Sequence, residues 1–483
     1  MNLVSLKQLL ISCAAVALAT SAMPIAQAAP AAAPATAPAT APTKQGGSIS
    51  IFLPLAMRSY PTATILGVGM NNVNESEGLS KLVDAGSEWT RTPGVIWSDV
   101  EKVEGTYDWT ASSIASLDAS LIAAKQNGIK VVLLVTRTPP WAQMVKTNAP
   151  NCSPIAQAKF GAFAKFMQQV VTRYSQTPYS VEYFEVWNEP DAPISTSDIS
   201  YGCWGDKADT YFGGTYFGNM LAAVYPAMKQ ANPNIKVVLS GLLMGCDGSS
   251  ACGNNVNTSR FFEGIMRSTG KNSFDVANFH GYDFYNIDLG LGKYVNPGWN
   301  YTNLDGPIVV AKARFLKARM AQFGVSKPLM NSETALAMFG CNGIPFQSFE
   351  TTKAYYVPVS YAAAMSEGLI ANIWFDAYGG WECTQLMDPA HPKALVALKV
   401  AHQRLVGAQF TREVTGLPSG IRAYEVNRGD KIVWVIWSLD GTPRNVTPAL
   451  GTPAGVYGTD GRSITPTATI SIRMEPYYLE FNP

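Results

Sequence analysis

A chain of 483 residues has room for one large domain and a smaller companion. Its 36 Lys and Arg nearly balance 35 Asp and Glu, and without basic runs it lacks the electrostatic footprint of a nucleic-acid binder. What it carries in quantity is aromatic surface, 11 Trp, 21 Tyr and 20 Phe, rings that fill cores and that, in clefts, stack on sugar faces.

In chain order, Lys7 is followed by an apolar segment from Leu9 to Ala22 and then Ala26-Gln27-Ala28, the pattern of a secretory signal cut after Ala28. A rival reading takes Leu10-Ile11-Ser12-Cys13 as a lipobox with Cys13 as the lipidated residue, but the apolar segment runs on past Cys13. No later stretch is long enough to span a bilayer, so the default is an exported protein with no transmembrane segment. Residues 29–60 hold an Ala/Pro/Thr-rich spacer that cannot form a core, closed by Ile49 to Met57 as a short strand or anchor.

From Thr64 short apolar runs alternate with amphipathic segments, the pattern of β/α units. Strands are expected at Ile65–Met70, Ser87–Arg91, Lys130–Thr136, Val181–Asn188, Lys236–Ser240, Phe274–Phe279, Pro328–Asn331 and Ile370–Phe375. Between them, Phe160, Phe163, Phe166, Val170 and Tyr174 recur at three- and four-residue spacing, as do Ile114, Leu117, Leu121 and Ile122, and Val309, Phe315, Leu316 and Met320. Such stripes are helix faces packed on a sheet. Eight strands wrapped by helices close into a (β/α)8 barrel over residues 61–410, with its working face at the loops after the strands. Beyond Phe410, short strands at Ile421–Val426, Lys431–Trp437, Gly455–Tyr457 and Thr469–Ile472 predict an antiparallel β-sandwich over 411–483 that props the barrel.

Six cysteines follow the signal, all in post-strand loops, and an even number in an exported chain implies disulfides. The pairs expected to stiffen the rim are Cys152–Cys203, Cys246–Cys252 and Cys341–Cys383. With only His280, His391 and His402 available, no metal site is read. Gly67-Val68-Gly69 lacks the third glycine of a dinucleotide fingerprint, and no phosphate loop or Gly-x-Ser-x-Gly elbow occurs, so no cofactor is implied.

Two carboxylates stand where chemistry belongs in a barrel. Glu189 ends the fourth strand, where Pro190 stops the run, and Glu333, in Asn331-Ser332-Glu333-Thr334, ends the seventh. Each alone is as readily a salt-bridged residue, but strands four and seven face each other across the mouth. Separated by about 5–5.5 Å the pair fits retaining glycoside hydrolysis, and by about 6.5–9.5 Å inverting hydrolysis. Spacing leaves open which carboxylate does which job.

Here the sequence resembles the retaining (β/α)8 glycoside hydrolases, the clan of cellulase-like endoglucanases, β-mannanases and β-xylosidases, over about Thr64 to Phe410. Asn188-Glu189-Pro190 matches the clan's Asn-Glu-Pro motif, which implies Glu189 as acid/base and Asn188 as a ligand of the sugar 2-hydroxyl. Glu333 matches the strand-seven nucleophile. His280-Gly281-Tyr282 is similar to the clan's His-x-Tyr, whose tyrosine touches the nucleophile, and Arg91 to the arginine that steadies it. Trp374 matches the strand-eight platform, and Thr138-Pro139-Pro140-Trp141-Ala142 a strand-three loop of xylosidase-like members. These details tilt the resemblance toward β-xylosidases and exopolysaccharide hydrolases, with a carbohydrate as the partner. Structural readings stand beside several of these: Arg91 pairing with Asp99 or Glu101, His280 as a wall residue, Trp141 and Trp374 as core, and Asp191, Asp283 and Asp376 as turn caps rather than hydroxyl ligands. Transglycosylation by the same glutamates, or a non-catalytic carbohydrate-binding protein on a barrel scaffold, would share the signature.

Overall fold

The computed structural model describes residues 64–145, 153–195, 202–249, 252, 258–341 and 347–483. The signal, Cys13, the Ala/Pro/Thr spacer with its short strand, and Cys152 lie outside the described residues, and with Cys152 the Cys152–Cys203 pairing. Residues 62–483 form one compact unit.

Eight parallel strands build its larger part: β1 (Leu66–Val68), β2 (Trp89–Ile96), β3 (Lys130–Thr136), β4 (Tyr183–Asn188), β5 (Lys236–Gly241) and β6 (Ala277–Tyr285), then, past a hairpin of β7 (Tyr294–Asn296) and β8 (Tyr301–Thr302), β9 (Leu329–Ala337) and β10 (Ala371–Trp374). Pairing runs β5-β4-β3-β2-β1-β10-β9-β6, with the hairpin continuing from β6. Parallel bridges Val238 to Val276 and Leu242 to Phe279 join β5 to β6 and close the ring. A helix follows each barrel strand: α1 (Leu79–Asp84), α2 (Ser112–Gln126), α3 (Phe160–Tyr174), α4 (Gly214–Ala231), α5 (Phe261–Arg267), α6 (Ile308–Gln322), α7 (Gln347–Ser366) and α8 (Lys393–Leu405). The stripe Phe160, Phe163, Phe166, Val170 and Tyr174 is the buried face of α3. No helix among the described residues is long and apolar enough to cross a membrane.

Strand alternation decides what fills the barrel. On β2, Trp89 and Arg91 share a face, and on β4 Tyr183 and Glu185 do; the rings meet edge-on at 4.9 Å and Arg91 meets Glu185 at 2.7 Å. An apolar layer of Trp89, Val132, Val238, Met330 and Ile373 thus underlies a charged one. Among the barrel strands, β2, β6 and β9 run five or six residues past the expected ends, and β5 one. β2 continues through a register shift between Thr92 and Val95, which Gly94 allows at φ 75°; a Cβ there would lie 1.7 Å from the Leu134 carbonyl oxygen. β6 and β9 pair from Ala277–Leu329 to Phe284–Ala337, although His280, Asp283, Ser332 and Glu333 interrupt the hydrophobic pattern. Those side chains are buried, and each has a polar partner: His280 meets Glu189, Glu333 meets Arg91, Ser332 meets Asn278, and Asp283 meets Tyr356.

The C-terminal part is antiparallel: β11 (Gln409–Glu413), β12 (Ile421–Asn427), β13 (Ile432–Ser438), β14 (Arg444–Val446), β15 (Gly455–Tyr457), β16 (Ser463–Ile464), β17 (Ile470–Ile472) and β18 (Tyr477–Phe481). Six strands form one sheet in the order β11-β12-β13-β18-β15-β16, and β14 pairs with β17 as a ribbon. Along β13, Trp434 and Ile436 join Ile470 and Ile472 of the ribbon in a small core. The alternate residues Val433, Val435 and Trp437 belong to the main barrel core, so one sheet serves two interiors.

Candidate active site

The fourth strand ends in a backbone that ordinary residues avoid. Trp187 lies at φ 76° and Glu189 at φ 42°, left-handed conformations that persist only where surroundings over-determine them. Trp187 supplies that anchorage: its indole N–H donates to the Gly202 carbonyl at 3.0 Å, and its ring is wedged edge-on between Phe163 and Trp204. The result turns the Glu189 carboxyl into the mouth, 7 % exposed.

Glu333 comes from β9 across the barrel. One Glu189 carboxylate oxygen, one Glu333 carboxylate oxygen and a His280 ring nitrogen lie within 4.8 Å of one another. Arg91 Nη1 reaches Glu333 Oε1 at 2.5 Å, while Nε and Nη2 hold Glu185 at 2.7 and 3.0 Å and Nη2 also donates to Asn188 Oδ1 at 2.7 Å. The pairing is therefore with Glu185 and Glu333, not Asp99 or Glu101; Glu101 instead accepts the Trp97 indole N–H at 2.6 Å. Because Arg91 occupies the Asn188 oxygen, the amide NH2 is what Asn188 has left to offer a ligand. The trio has the donors a cation would want, but the guanidinium already neutralises Glu333 and opposes a second positive charge.

His280 and Tyr282 lie two residues apart on β6. His280 Nδ1 sits 2.7 Å from Glu189 Oε1, and burial pushes the imidazole down to about 4, so it is neutral near pH 7. It fits because Gly241 has no side chain: a Cβ there would lie 2.1 Å from His280 Nε2. The Tyr282 hydroxyl donates to Glu333 Oε2 at 2.5 Å, and burial beside that carboxylate raises its pKa well above the usual tyrosine range. Tyr282→Phe should therefore fold normally and lose about ten- to a hundredfold in kcat, the worth of one hydrogen bond to a charged group; steady-state rates with thermal melts check it.

Burial also raises Glu189 to about 7, with Arg91 and then Lys312 pulling the other way. Lys312, reaching in from α6, donates to the carbonyls of Leu243 at 2.8 Å and His280 at 2.7 Å, and burial brings its ammonium down to about 8. Asp191 accepts the backbone N–H groups of Leu243 and Met244, and Asp283 those of Ile308 and the Tyr356 hydroxyl. Both are thus structural acceptors, held by backbone and tyrosine donors. Asp376 remains at the cavity, about 190 Å³ in volume, that Arg91, Glu333 and Trp374 also line, and burial raises it to about 7.

The two expected aromatic residues stand differently toward the carboxylates. Trp374 lines the same cavity as Arg91 and Glu333, but its side chain is buried, 0 % exposed, with its indole N–H held on the Thr384 carbonyl at 2.8 Å. Trp141 packs edge-on against Trp97 and donates to the Glu101 carbonyl at 2.9 Å; among the described contacts none joins it to the carboxylates. Sequence reasoning passed over Glu185, although a carboxylate inside an apolar barrel strand demands a cation, and over Lys312, whose place in a helix stripe gave no sign of its reach. The disulfides Cys246–Cys252 and Cys341–Cys383 both form.

A search of curated protein sequences gives no match. Similar solved structures include a family 39 glycoside hydrolase from Bacteroides cellulosilyticus WH2 (15 % identity, TM-score 0.62, covering 87 % of this chain and 81 % of that one). A family 30 subfamily 8 xylanase from Clostridium acetobutylicum is 12 % identical, with TM-score 0.59 and coverage of 87 % and 96 %. A family 39 β-xylosidase from Caulobacter crescentus is 15 % identical, with TM-score 0.54 and the same coverages. At these identities the likeness is one of fold. The model of the cellulase family, glycosyl hydrolase family 5, matches residues 53–305, just over half of the 483-residue chain, and the chain belongs to that family of glycoside hydrolases.

Proposed function

We propose that the protein is an exported retaining β-glycoside hydrolase acting on β-linked oligo- or polysaccharides of the xylan or β-glucan type. The observation that carries this is that one oxygen of Glu189 and one of Glu333 lie within 4.8 Å of each other. That favours the separation of about 5–5.5 Å, at which one carboxylate attacks and the other protonates, over that of about 6.5–9.5 Å, a water's width more, for inversion. Glu333 attacks the anomeric carbon as the Glu189 proton passes to the departing glycosidic oxygen, giving a glycosyl ester on Glu333. Glu189, now ionised, takes a proton from water, whose oxygen attacks the same carbon and releases Glu333 with the original configuration. Asn188, through its amide NH2, is suited to the sugar 2-hydroxyl, where hydrogen bonding strengthens toward the transition state. The two disulfides fit an oxidising compartment, in keeping with the N-terminal signal read from sequence. The xylan-directed names of the family 30 and family 39 structures make xylo-oligosaccharides the first substrates to try.

The test is hydrolysis of xylo- and cello-oligosaccharides with the first-formed anomer followed by NMR. A β product supports double displacement, and an α product rejects it. The raised Glu189 group fixes the alkaline limb: the protonated acid exists below its pKa, so kcat/KM should fall as pH rises through about 7. On a dinitrophenyl glycoside, whose leaving group needs no proton, that limb should weaken, and it should vanish in Glu189→Ala.

A further inference from the structure

Beside the carboxylate pair stands an aromatic wall with open surface. Trp381 is 40 % and Phe339 43 % exposed, large for rings in a molecule that buries most of its aromatic side chains. The Trp381 ring lies 5.7 Å from that of Tyr282, whose hydroxyl is on Glu333, so a single side chain separates it from the Glu333 carboxylate. Trp381 also meets Phe284 and Phe339, each at 6.3 Å and close to perpendicular, while Phe284 and Phe339 stack at 4.4 Å and 9°. Phe284, Phe339 and Ile287 then line a neighbouring hollow of about 300 Å³, at the lower end of the size of small-molecule sites.

This wall is fixed in place. Phe339 belongs to the loop after β9 and Trp381 to the loop after β10, and the Cys341–Cys383 disulfide ties the two loops together. Met338 N–H donates to the Glu382 carbonyl at 3.0 Å and Cys341 N–H to the Glu382 carboxylate at 3.1 Å. From beneath, buried Lys353 donates to the carbonyls of Cys383 and Gln385 at 3.0 and 2.9 Å. Solvent-facing rings held this firmly, one side chain from the catalytic pair, suit a ligand that must be positioned rather than merely covered.

We propose that Trp381, backed by Phe339 and Phe284, is a sugar-binding subsite that stacks on a pyranose ring adjoining the one held between Glu189 and Glu333, so that the enzyme prefers chains to single sugars. The inference rests on the glycosidase reading above. The occupant is a sugar because the wall continues from the catalytic mouth, and a substrate longer than one ring leaving that mouth beside Tyr282 passes over it. A pyranose presents apolar C–H faces to such rings and keeps its hydroxyls for water.

The test compares a tetrasaccharide, xylotetraose or cellotetraose, with the corresponding β-glycosyl fluoride, which contains one sugar ring and a minimal leaving group. In Trp381→Ala the ratio of kcat/KM for tetrasaccharide over fluoride should fall about three- to tenfold, mostly through KM, and Trp381→Phe should recover most of it. The double variant Cys341→Ser/Cys383→Ser should lower the same ratio in the same direction. An unchanged ratio in Trp381→Ala overturns the proposal, as does an equal loss on both substrates, which would mark a ring that only steadies Tyr282. Normal turnover after Glu189→Gln and Glu333→Gln would instead overturn the glycosidase reading, so the two failures are told apart.

Discussion

Glu333→Gln should lose at least about 10⁴-fold in kcat, and Glu189→Gln about 10²- to 10⁴-fold on substrates with poor leaving groups. Both should unfold within about 1–2 kcal/mol of the parent protein, since Gln keeps the volume and Arg91 retains its two bonds to Glu185. Loss of rate alone does not say which carboxylate attacks, but azide does. In Glu333→Ala the small anion fills the space of the missing carboxylate and attacks from that face, giving the α-glycosyl azide. In Glu189→Ala a dinitrophenyl glycoside still loads Glu333, and azide then displaces the ester from the opposite face, giving the β-glycosyl azide. The reverse pattern would exchange the two roles, and near-parent hydrolysis by both Gln variants would remove them. Rates, urea unfolding curves and NMR of the azide products supply the measurements.

The barrel was legible because its strands are short apolar runs separated by helical stripes, and periodicity is what a sequence shows best. Lys130–Thr136 has the bounds read for it. β6 and β9 look shorter in sequence than they are because His280, Asp283 and Glu333 resemble the end of a strand until a second strand is available to shelter them. Of the mouth, Glu189 and Glu333 could be found because each is a carboxylate at a strand end, a local property. Trp374 and Trp381 show the limit: the two differ by seven positions, and only the fold buries one against Thr384 while leaving the other open beside Tyr282. Lys312 was hidden for the same reason, since its partners are carbonyls 69 and 32 residues away in sequence. Long-range partners of that kind leave no trace in spacing.

Arg91→Met should be the most damaging change outside the two glutamates, because one guanidinium serves four acceptor oxygens on three side chains. It holds Glu185 with two nitrogens, Glu333 with the third, and Asn188 through a shared hydrogen donor. Removing it leaves Glu185, which is wholly buried, with the Gly241 backbone N–H at 2.8 Å and no cation beside it. Breaking a buried pair from one side costs about 3–5 kcal/mol, so the urea midpoint should drop sharply. The rate should fall too, by at least about 10²-fold, because Glu333 loses the contact that fixes one of its oxygens. Arg91→Lys separates the two effects: an ammonium restores a positive charge and part of the stability, but a point charge cannot bridge acceptors the way a planar fork does, so kcat should stay low. The pH profile supplies an independent sign. Arg91 is the largest influence holding Glu189 down against burial; without it the Glu189 pKa rises further, the protonated acid survives to higher pH, and the alkaline limb of Arg91→Met should move above about 7. A limb that moved to lower pH would show that Arg91 does not act on Glu189 through its charge.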